Sequence, residues 1–175
     1  MKWLTFAFAL AGAFGWRAVV AGELPAVGNP APSFNLPDQS GKIRTLDEFR
    51  GRWLVLYFYP EDDTPGCTKQ ACSFRDDLAQ LSALGAQVVG VSVDTSSSHA
   101  EFAKKYSLPF PLLADEKGEV AKRYGSLTNL GVMKLAKRNT FLVDPEGKIA
   151  KVYVKASTSR NSADVTEDLK KFAKD

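Results

Sequence analysis

An unbroken apolar run, Trp-Leu-Val-Leu-Tyr-Phe-Tyr, occupies residues 53–59. A short run of aliphatic and aromatic residues is typical of a buried β-strand. Apolar residues then recur every three or four positions over residues 73–84, namely at Phe74, Leu78, Leu81 and Leu84. This spacing puts one apolar face on a helix, which we expect to end at Gly85. The pattern therefore predicts a buried strand that leads through a turn into an amphipathic helix.

The turn between this strand and this helix contains a cysteine. Thr64 and Pro65 suit an N-cap residue followed by proline at the first helical position, so Cys67 falls in the first helical turn. At that position the unpaired backbone N–H groups and the positive end of the helix dipole favour a thiolate over a thiol. The sequence therefore predicts that the chemistry of the protein takes place here.

The rest of the chain alternates between strand and helix patterns. We expect residues 23–37, which are rich in proline, to be extended and to be followed by a turn at residues 38–42. The further predicted elements are a helical turn at 45–49, strands at 87–93 and 110–113, helices at 98–106, 116–124 and 164–174, and a β-hairpin of 139–144 with 149–154. This order predicts an α/β fold in which helices flank both faces of a mixed central β-sheet. The reactive turn would lie at the carboxyl end of a central strand, where open α/β sheets place their sites.

The first 21 residues have the pattern of a secretory signal. Lys2 precedes an apolar run from Trp3 to Trp16, and Val19-x-Ala21 offers small residues for cleavage before Gly22. We therefore expect residues 1–21 to be a signal peptide cleaved after Ala21, residues 22–175 to form one domain, and the protein to be exported to the periplasm. The alternative is that the segment stays in place as an N-terminal membrane anchor.

Composition and charge limit the possible functions. The chain is 45% hydrophobic and 25% charged, which is ordinary for a globular domain with a core. The net charge of +3 falls to +1 when Lys2 and Arg17 are set aside, so nothing in it indicates a nucleic-acid partner. The chain has two cysteines and one histidine, too few ligands for a zinc site of the usual kind.

The segment from Tyr57 to Cys72 reads YFYPEDDTPGCTKQAC. Its proline-x3-threonine-x2-cysteine spacing resembles the peroxiredoxin signature, and a second cysteine five positions later resembles the bacterioferritin-comigratory-protein/peroxiredoxin Q subfamily. Further matches lie at residues 91–94, 111–115 and 138–144, so the resemblance covers nearly everything from Pro25 onward. It implies a thioredoxin-like fold. The leader is the one departure from the usual pattern of the subfamily.

The resemblance also implies roles for five residues. Cys67 matches the peroxidatic cysteine, whose thiolate attacks a peroxide, and Cys72 matches the resolving cysteine. Thr64 matches the threonine whose hydroxyl holds the thiolate and the incoming oxygen. Arg138 matches the arginine that stabilises negative charge on the sulfur and on the departing oxygen. Pro60 matches the proline that shields the pocket from water.

These roles together imply an enzyme. The expected reaction is reduction of hydrogen peroxide or organic hydroperoxides by Cys67, followed by a redox-active Cys67–Cys72 disulfide. The family's usual reductant is thioredoxin, although an exported protein would need a thioredoxin-like donor outside the cytosol. The resemblance implies no metal, haem, flavin or other bound cofactor, and it favours a monomer.

The spacing of the cysteines has a consequence of its own. Five residues along an α-helix correspond to a rise of about 7.5 Å and a rotation of about 140°. A disulfide requires Cα atoms within about 6.8 Å of each other. We therefore predict that the first turns of the helix unwind on oxidation. The same geometry argues against a static structural disulfide, the usual interpretation of two cysteines in an exported protein.

Other interpretations stay open at this point. The protein could be a peroxide sensor that oxidises once and signals, or a thiol–disulfide oxidoreductase, although the latter usually carries Cys-x-x-Cys. A copper-binding role for the cysteine pair and the histidine is a minor alternative. Arg138 could be a solvated charge beside Lys134 and Lys137. We expect His99, at a predicted helix start, to face solvent, and Asp62 and Asp63 to be exposed turn residues.

Overall fold

A computed structural model describes residues 22–172 of the chain. The predicted signal peptide, residues 1–21, lies outside the described residues, so its cleavage and the export of the protein stay predictions. The strands are β1 Asn35–Pro37, β2 Ile43–Thr45, β3 Trp53–Phe58, β4 Ala86–Ser92, β5 Leu112–Ala114, β6 Leu127–Asn129, β7 Lys134–Ala136, β8 Thr140–Val143 and β9 Ile149–Tyr153. The helices are α1 Pro65–Asp76, α2 Leu78–Ala83, α3 Ser96–Tyr106, α4 Glu119–Arg123 and α5 Asn161–Phe172, with a 3-10 turn at Leu46–Phe49. Within residues 22–172, none of these helices has the length and apolar character needed to span a membrane.

Five strands form the central sheet in the order β5-β4-β3-β8-β9. β3 and β4 pair in parallel, as do β4 and β5, whereas β8 is antiparallel to both β3 and β9. The predicted mixed α/β sheet is therefore confirmed. Alternate side chains of the central strand enter two separate cores, with Leu56 in one and Val55 in the other. This two-sided burial explains why its sequence is apolar throughout rather than alternating.

The sheet topology brings two distant segments to one edge. A six-residue loop joins the carboxyl end of β3 to the start of α1, and residue 138 precedes the amino end of β8. Because β3 and β8 are antiparallel neighbours, these two ends adjoin, and the Phe58 N–H donates a 2.8 Å hydrogen bond to the Asn139 carbonyl oxygen. The predicted site at the carboxyl end of a central strand thus receives residues from two strands.

Several predicted boundaries differ from the structure. The helix expected up to Leu84 is broken at Asp77 into α1 and α2. α3 begins at Ser96 rather than at 98, because Thr95 caps it with a side chain that accepts a 3.2 Å hydrogen bond from Ser98 N–H. α5 begins at Asn161 rather than at 164, because polar residues of its first turn are buried where the apolar pattern gives no signal. The β6–β7 hairpin was not predicted.

Candidate active site

Cys67 lies in the first turn of α1 with only 1% of its surface exposed. The helix begins as the sequence predicts, with Thr64 at the N-cap position, Pro65 next, and a 2.9 Å hydrogen bond from Thr68 N–H to the Thr64 carbonyl oxygen. The sulfur therefore sits at the positive end of the helix dipole and away from bulk water. The dipole favours a negative charge on the sulfur, and burial strengthens the interaction of that charge with a nearby cation.

Arg138 supplies that charge. Its Nη2 lies 3.3 Å from the Cys67 Sγ, although 71 residues separate the two in sequence. The guanidinium passes over the first turn of α1, where a Cβ on Gly66 would lie only 3.3 Å from Nη2. Glycine at this position therefore admits the cation to the sulfur. Of the residues predicted for the site, Arg138 is the one within hydrogen-bond distance of the Cys67 sulfur.

Three polar residues that the sequence analysis did not identify hold Arg138 in place. Its Nη1 donates a 2.6 Å hydrogen bond to Gln70 Oε1, and Gln70 Nε2 donates one of 2.9 Å to Asn161 Oδ1. The same Asn161 oxygen accepts a 2.7 Å hydrogen bond from the Thr140 hydroxyl. Gln70 and Thr140 are fully buried and Asn161 is almost so. Gln70 follows Cys67 by three positions on the same face of α1, a helical spacing that could have signalled it.

Thr64 and Pro60 lie on the loop between β3 and α1, and both are partly buried. The Thr64 hydroxyl donates a 3.1 Å hydrogen bond to the Glu61 carbonyl oxygen. Thr64 thus occupies the N-cap position without capping the helix through its side chain. Among the described residues, its hydroxyl bonds within the loop and makes no hydrogen bond to the Cys67 sulfur. Pro60 follows the end of β3 directly.

Cys72 lies on the same continuous helix as Cys67. It is half-buried, and both cysteines are free. On a regular helix the Cα atoms of two residues five positions apart are separated by about 7.5 Å along the axis, so the two thiols cannot be bridged while α1 is intact.

Comparisons with known proteins identify the family. Residues 27–152 match the AhpC/TSA family. The chain belongs to this family. It is 46% identical to the chloroplastic peroxiredoxin Q of Triticum aestivum over 151 residues, and this match covers 84% of this chain and 69% of the relative. Its structure is similar to that of the peroxidoxin BcpB from Mycobacterium tuberculosis, with a TM-score of 0.80, 34% identity, and coverage of 84% of this chain and 97% of that one.

A cysteine mutant of PrxQ from Xylella fastidiosa is also similar, with a TM-score of 0.81, 28% identity, and coverage of 87% of this chain and 99% of that one. The chain is therefore a peroxiredoxin of the BCP/PrxQ subfamily with a thioredoxin-like fold, as its motifs predicted. It is a thiol-dependent peroxidase.

Aromatic side chains form the wall behind the sulfur of this peroxiredoxin. The Tyr57 ring stacks on Tyr59 and Phe74 with centroid distances of 5.4 and 4.9 Å. Burial raises the pKa of Tyr57 well above its usual range, and the nearby Asp62 carboxyl and the cysteines raise it further. The phenol therefore stays protonated. Gly90 admits this ring, because a Cβ there would lie 2.8 Å from the hydroxyl oxygen.

Two expectations for the polar residues near the site were wrong. His99 does not face solvent but is completely buried, and Asp62 retains only 9% of its exposed surface. The His99 Nδ1 lies 2.8 Å from Asp62 Oδ2. Each residue is the hydrogen-bond partner of the other, which offsets the cost of burying two polar groups. The sequence around either residue gives no sign of this pairing. Asp63 is exposed, as expected.

Asp62, Asp94 and His99 bring three potential ligand atoms within 4.8 Å of one another. These atoms already bond to the protein, since Asp62 Oδ2 pairs with His99 Nδ1 and Asp94 Oδ2 accepts a 3.0 Å hydrogen bond from the Asp62 N–H. The cluster is therefore a polar network that joins the catalytic loop, residues 59–64, to the end of β4 and to α3.

Proposed function

We propose that Cys67 is the peroxide-reducing cysteine of this peroxidase and that Cys72 resolves its oxidised form. The observation that carries this proposal is the 3.3 Å contact between Arg138 Nη2 and Cys67 Sγ at the buried first turn of α1. A cation and a helix amino terminus together stabilise the thiolate, which is the nucleophile. Cys72 has neither the burial nor this cation.

In the first step the Cys67 thiolate attacks the terminal oxygen of the peroxide. An S–O bond forms while the O–O bond breaks, so the sulfur is oxidised by two electrons to a sulfenic acid. The departing oxygen takes a proton and leaves as water or as an alcohol. Negative charge develops on both oxygens in the transition state, and the Arg138 guanidinium is a fixed donor beside the reacting sulfur. The Thr64 hydroxyl and Pro60 would complete the pocket as hydrogen-bonding and shielding groups.

In the second step the Cys72 thiol attacks the Cys67 sulfenic acid. An S–S bond forms, the S–O bond breaks and water leaves. The first turns of α1 must unwind for this step, because the two sulfurs cannot meet on the intact helix. The helix therefore has to be folded for peroxide reduction and open for resolution.

The disulfide would then be reduced by thioredoxin or a thioredoxin-like dithiol. Exchange proceeds through attack of an external thiolate on a disulfide sulfur, so one sulfur must be accessible. We propose that the chain is exported and acts as a monomer, which would require a reductant outside the cytosol. Retention of residues 1–21 as a membrane anchor is the alternative outcome, and the mass of the protein from cell fractions distinguishes the two.

Intact-mass measurement after one equivalent of peroxide tests the mechanism. The reduced wild type should lose two hydrogens, and Cys72→Ser should gain one oxygen that a sulfenate-trapping dimedone reagent captures on Cys67. Cys67→Ser should stay unchanged and serves as the matched control. If the wild type is isolated as a disulfide that reduction cannot return to a peroxide-reactive form, the two cysteines form a structural bridge and the proposal fails. If oxidised wild type cannot be recycled by any dithiol, the protein acts as a sensor instead.

A further inference from the structure

The catalytic loop carries two neighbouring aspartates, and both contact α3. Asp62 contacts the first turns of that helix through Ser98 and His99, while Asp63 contacts its last turn. The loop lies between β3 and the first turn of α1, so its conformation decides where Thr64 and Cys67 lie. None of the roles proposed above uses these contacts.

Asp62 is the more enclosed of the two acids. Its Oδ2 accepts hydrogen bonds from His99 Nδ1 at 2.8 Å and from Ser98 Oγ at 2.7 Å, and its Oδ1 accepts one from Tyr59 OH at 2.7 Å. Its own N–H donates to Asp94 Oδ2 at 3.0 Å. Hydrogen bonds to a charged group are stronger than those between neutral groups. This carboxylate is therefore a strong anchor for the middle of the loop.

The interaction of His99 with Asp62 leaves one polar atom of the histidine buried without a partner in the part of the chain that the structure describes. Because Nδ1 faces a carboxylate, it must carry the proton that it donates. The other ring nitrogen, Nε2, is buried and has no hydrogen-bond partner among the described residues. An apolar residue would avoid that unsatisfied group, so helix stability alone does not explain a histidine at this position. The interaction with Asp62 does.

The backbone of the loop also needs to be held. Asp63 has a φ of 57°, in the left-handed region that non-glycine residues seldom adopt. Its carboxylate bonds to Lys105 Nζ and Tyr106 OH, both at 2.6 Å, and these two donors lower its pKa. Aspartate adopts this conformation more readily than most side chains, and surrounding contacts help to hold it. The last turn of α3 provides those contacts.

α3 also contacts α1 beyond the second cysteine. Arg75 Nη1 donates a 2.7 Å hydrogen bond to the Tyr106 carbonyl oxygen, which belongs to α3. Both cysteines therefore lie between two attachment points to the same helix, at residues 62–63 and at residue 75. The segment that must unwind has fixed ends.

We propose that α3 positions the catalytic loop of this peroxidase through the Asp62–His99 pair, so that the folded pocket is restored after each disulfide cycle. This inference rests on the proposed function, because it assumes that Cys67 reacts with the peroxide. Asp62 and His99 are positioning residues that act through the loop and touch neither substrate nor sulfur. Loss of the pair frees the loop, which slows the step that needs the folded pocket and leaves the step that needs the open helix unchanged or faster.

The test measures the two steps separately by rapid quenching and intact mass. His99→Leu and Asp62→Asn should slow sulfenate formation by at least about tenfold, the lower end of the range for one hydrogen bond to a charged group. Disulfide formation from the sulfenate should proceed at or above the wild-type rate. His99→Asn should recover most of the lost rate, because the asparagine Nδ2 is attached to the same Cγ position as the histidine Nδ1.

Asp38→Asn is the matched control. Asp38 is also a buried carboxylate with several hydrogen bonds, from Ser40, Lys42 and Arg44, but it lies between β1 and β2. The Asp38→Asn variant should have a lower melting temperature, and it should not change the rate of sulfenate formation relative to that of disulfide formation. Ser98→Ala removes one bond to Asp62 and leaves the Thr95 cap in place, so it tests the inference even if His99→Leu does not fold, with an expected loss of about two- to fivefold.

Three results would overturn the inference: folded His99→Leu and Ser98→Ala that form sulfenate at the wild-type rate, equal losses in both steps, or no rescue by His99→Asn. Failure of the proposed function would appear elsewhere, as the absence of a Cys67 sulfenate in Cys72→Ser with an unaltered loop.

Discussion

Cys67 and Cys72 lie on one helix, five residues apart, in different environments. Cys67 is 1% exposed and lies 3.3 Å from a guanidinium, whereas Cys72 is half-buried. Gln70, Asn161 and Thr140 orient the cation toward the first sulfur through a chain of buried hydrogen bonds. The two cysteines therefore differ in burial and in the charge beside them, although they share one helix. In the proposed mechanism, the position along the helix and the charge that tertiary structure brings there decide which of the two thiols reacts with the peroxide.

The two environments also serve opposite requirements. In the proposed mechanism, peroxide reduction needs Cys67 held at the amino terminus of a folded helix, where dipole and guanidinium act together. Resolution needs that same helix to open so that Cys72 can approach. An intermediate stability of α1 is therefore expected, since a helix that never opens would trap the sulfenic acid and expose it to over-oxidation.

Arg138→Met should produce the largest effect in this comparison. It removes the cation from Cys67 while keeping a long side chain over Gly66. The loss of a fixed donor in a buried site costs about 10²–10³-fold in rate, and we expect a decrease of that size in sulfenate formation measured by stopped flow. Alkylation of Cys67 by iodoacetamide at neutral pH should fall as well.

Lys137→Met is the control for that variant, because Lys137 is exposed and adjacent. It should leave both rates near the wild-type values. Equal reactivity of Cys67 in Arg138→Met and in the wild type would show that the guanidinium contact does not distinguish the two cysteines.

Gln70→Leu should have an intermediate effect. Leucine keeps most of the buried volume but removes the acceptor of Arg138 Nη1, which lies 2.6 Å away. The cation is retained but is free to turn from the sulfur, so sulfenate formation should fall by about tenfold, the value of one hydrogen bond to a charged group. Gln80→Leu is the control, because it makes the same substitution at an exposed position of α2. If Gln70→Leu slowed disulfide formation as much as it slowed sulfenate formation, the defect would be a general one and not a misplaced cation.

The sequence predicted the elements whose signal is local. The apolar run of β3, the proline after Thr64 and the helical spacing beyond Cys67 together predicted the turn, and the confirmed mixed sheet followed from the order of the elements. The resemblance selected Arg138, which the structure brings to the sulfur. Each of these rests on a pattern that can be read within a few residues or within one motif.

The errors concern residues whose partners are distant. Asp62 and His99 are 37 residues apart, and Gln70 and Asn161 are 91 apart. Taken alone, a histidine at a helix start and an acid in a turn favour exposure, and only the pair makes burial acceptable. The early start of α5 has the same origin, because Asn161 is buried by its bond to Gln70. Local polarity therefore predicted exposure at these positions, whereas pairing between distant residues allows them to be buried.

Lys69→Gly should give the smallest effect and the most direct test of the helix as the barrier between the two cysteines. Lys69 is an exposed residue of α1 between Cys67 and Cys72. Glycine lowers helix stability there by about 1 kcal/mol relative to alanine, which corresponds to about fivefold in the population of the open helix. Disulfide formation from the sulfenate should therefore accelerate by up to about fivefold relative to Lys69→Ala, measured by intact mass on a quench-flow time course. Sulfenate formation should change little, because the open form is a minor population. Identical resolution rates in the glycine and alanine variants would mean that α1 does not unwind before the sulfurs meet, and the reason for the separate environments of Cys67 and Cys72 would have to lie elsewhere.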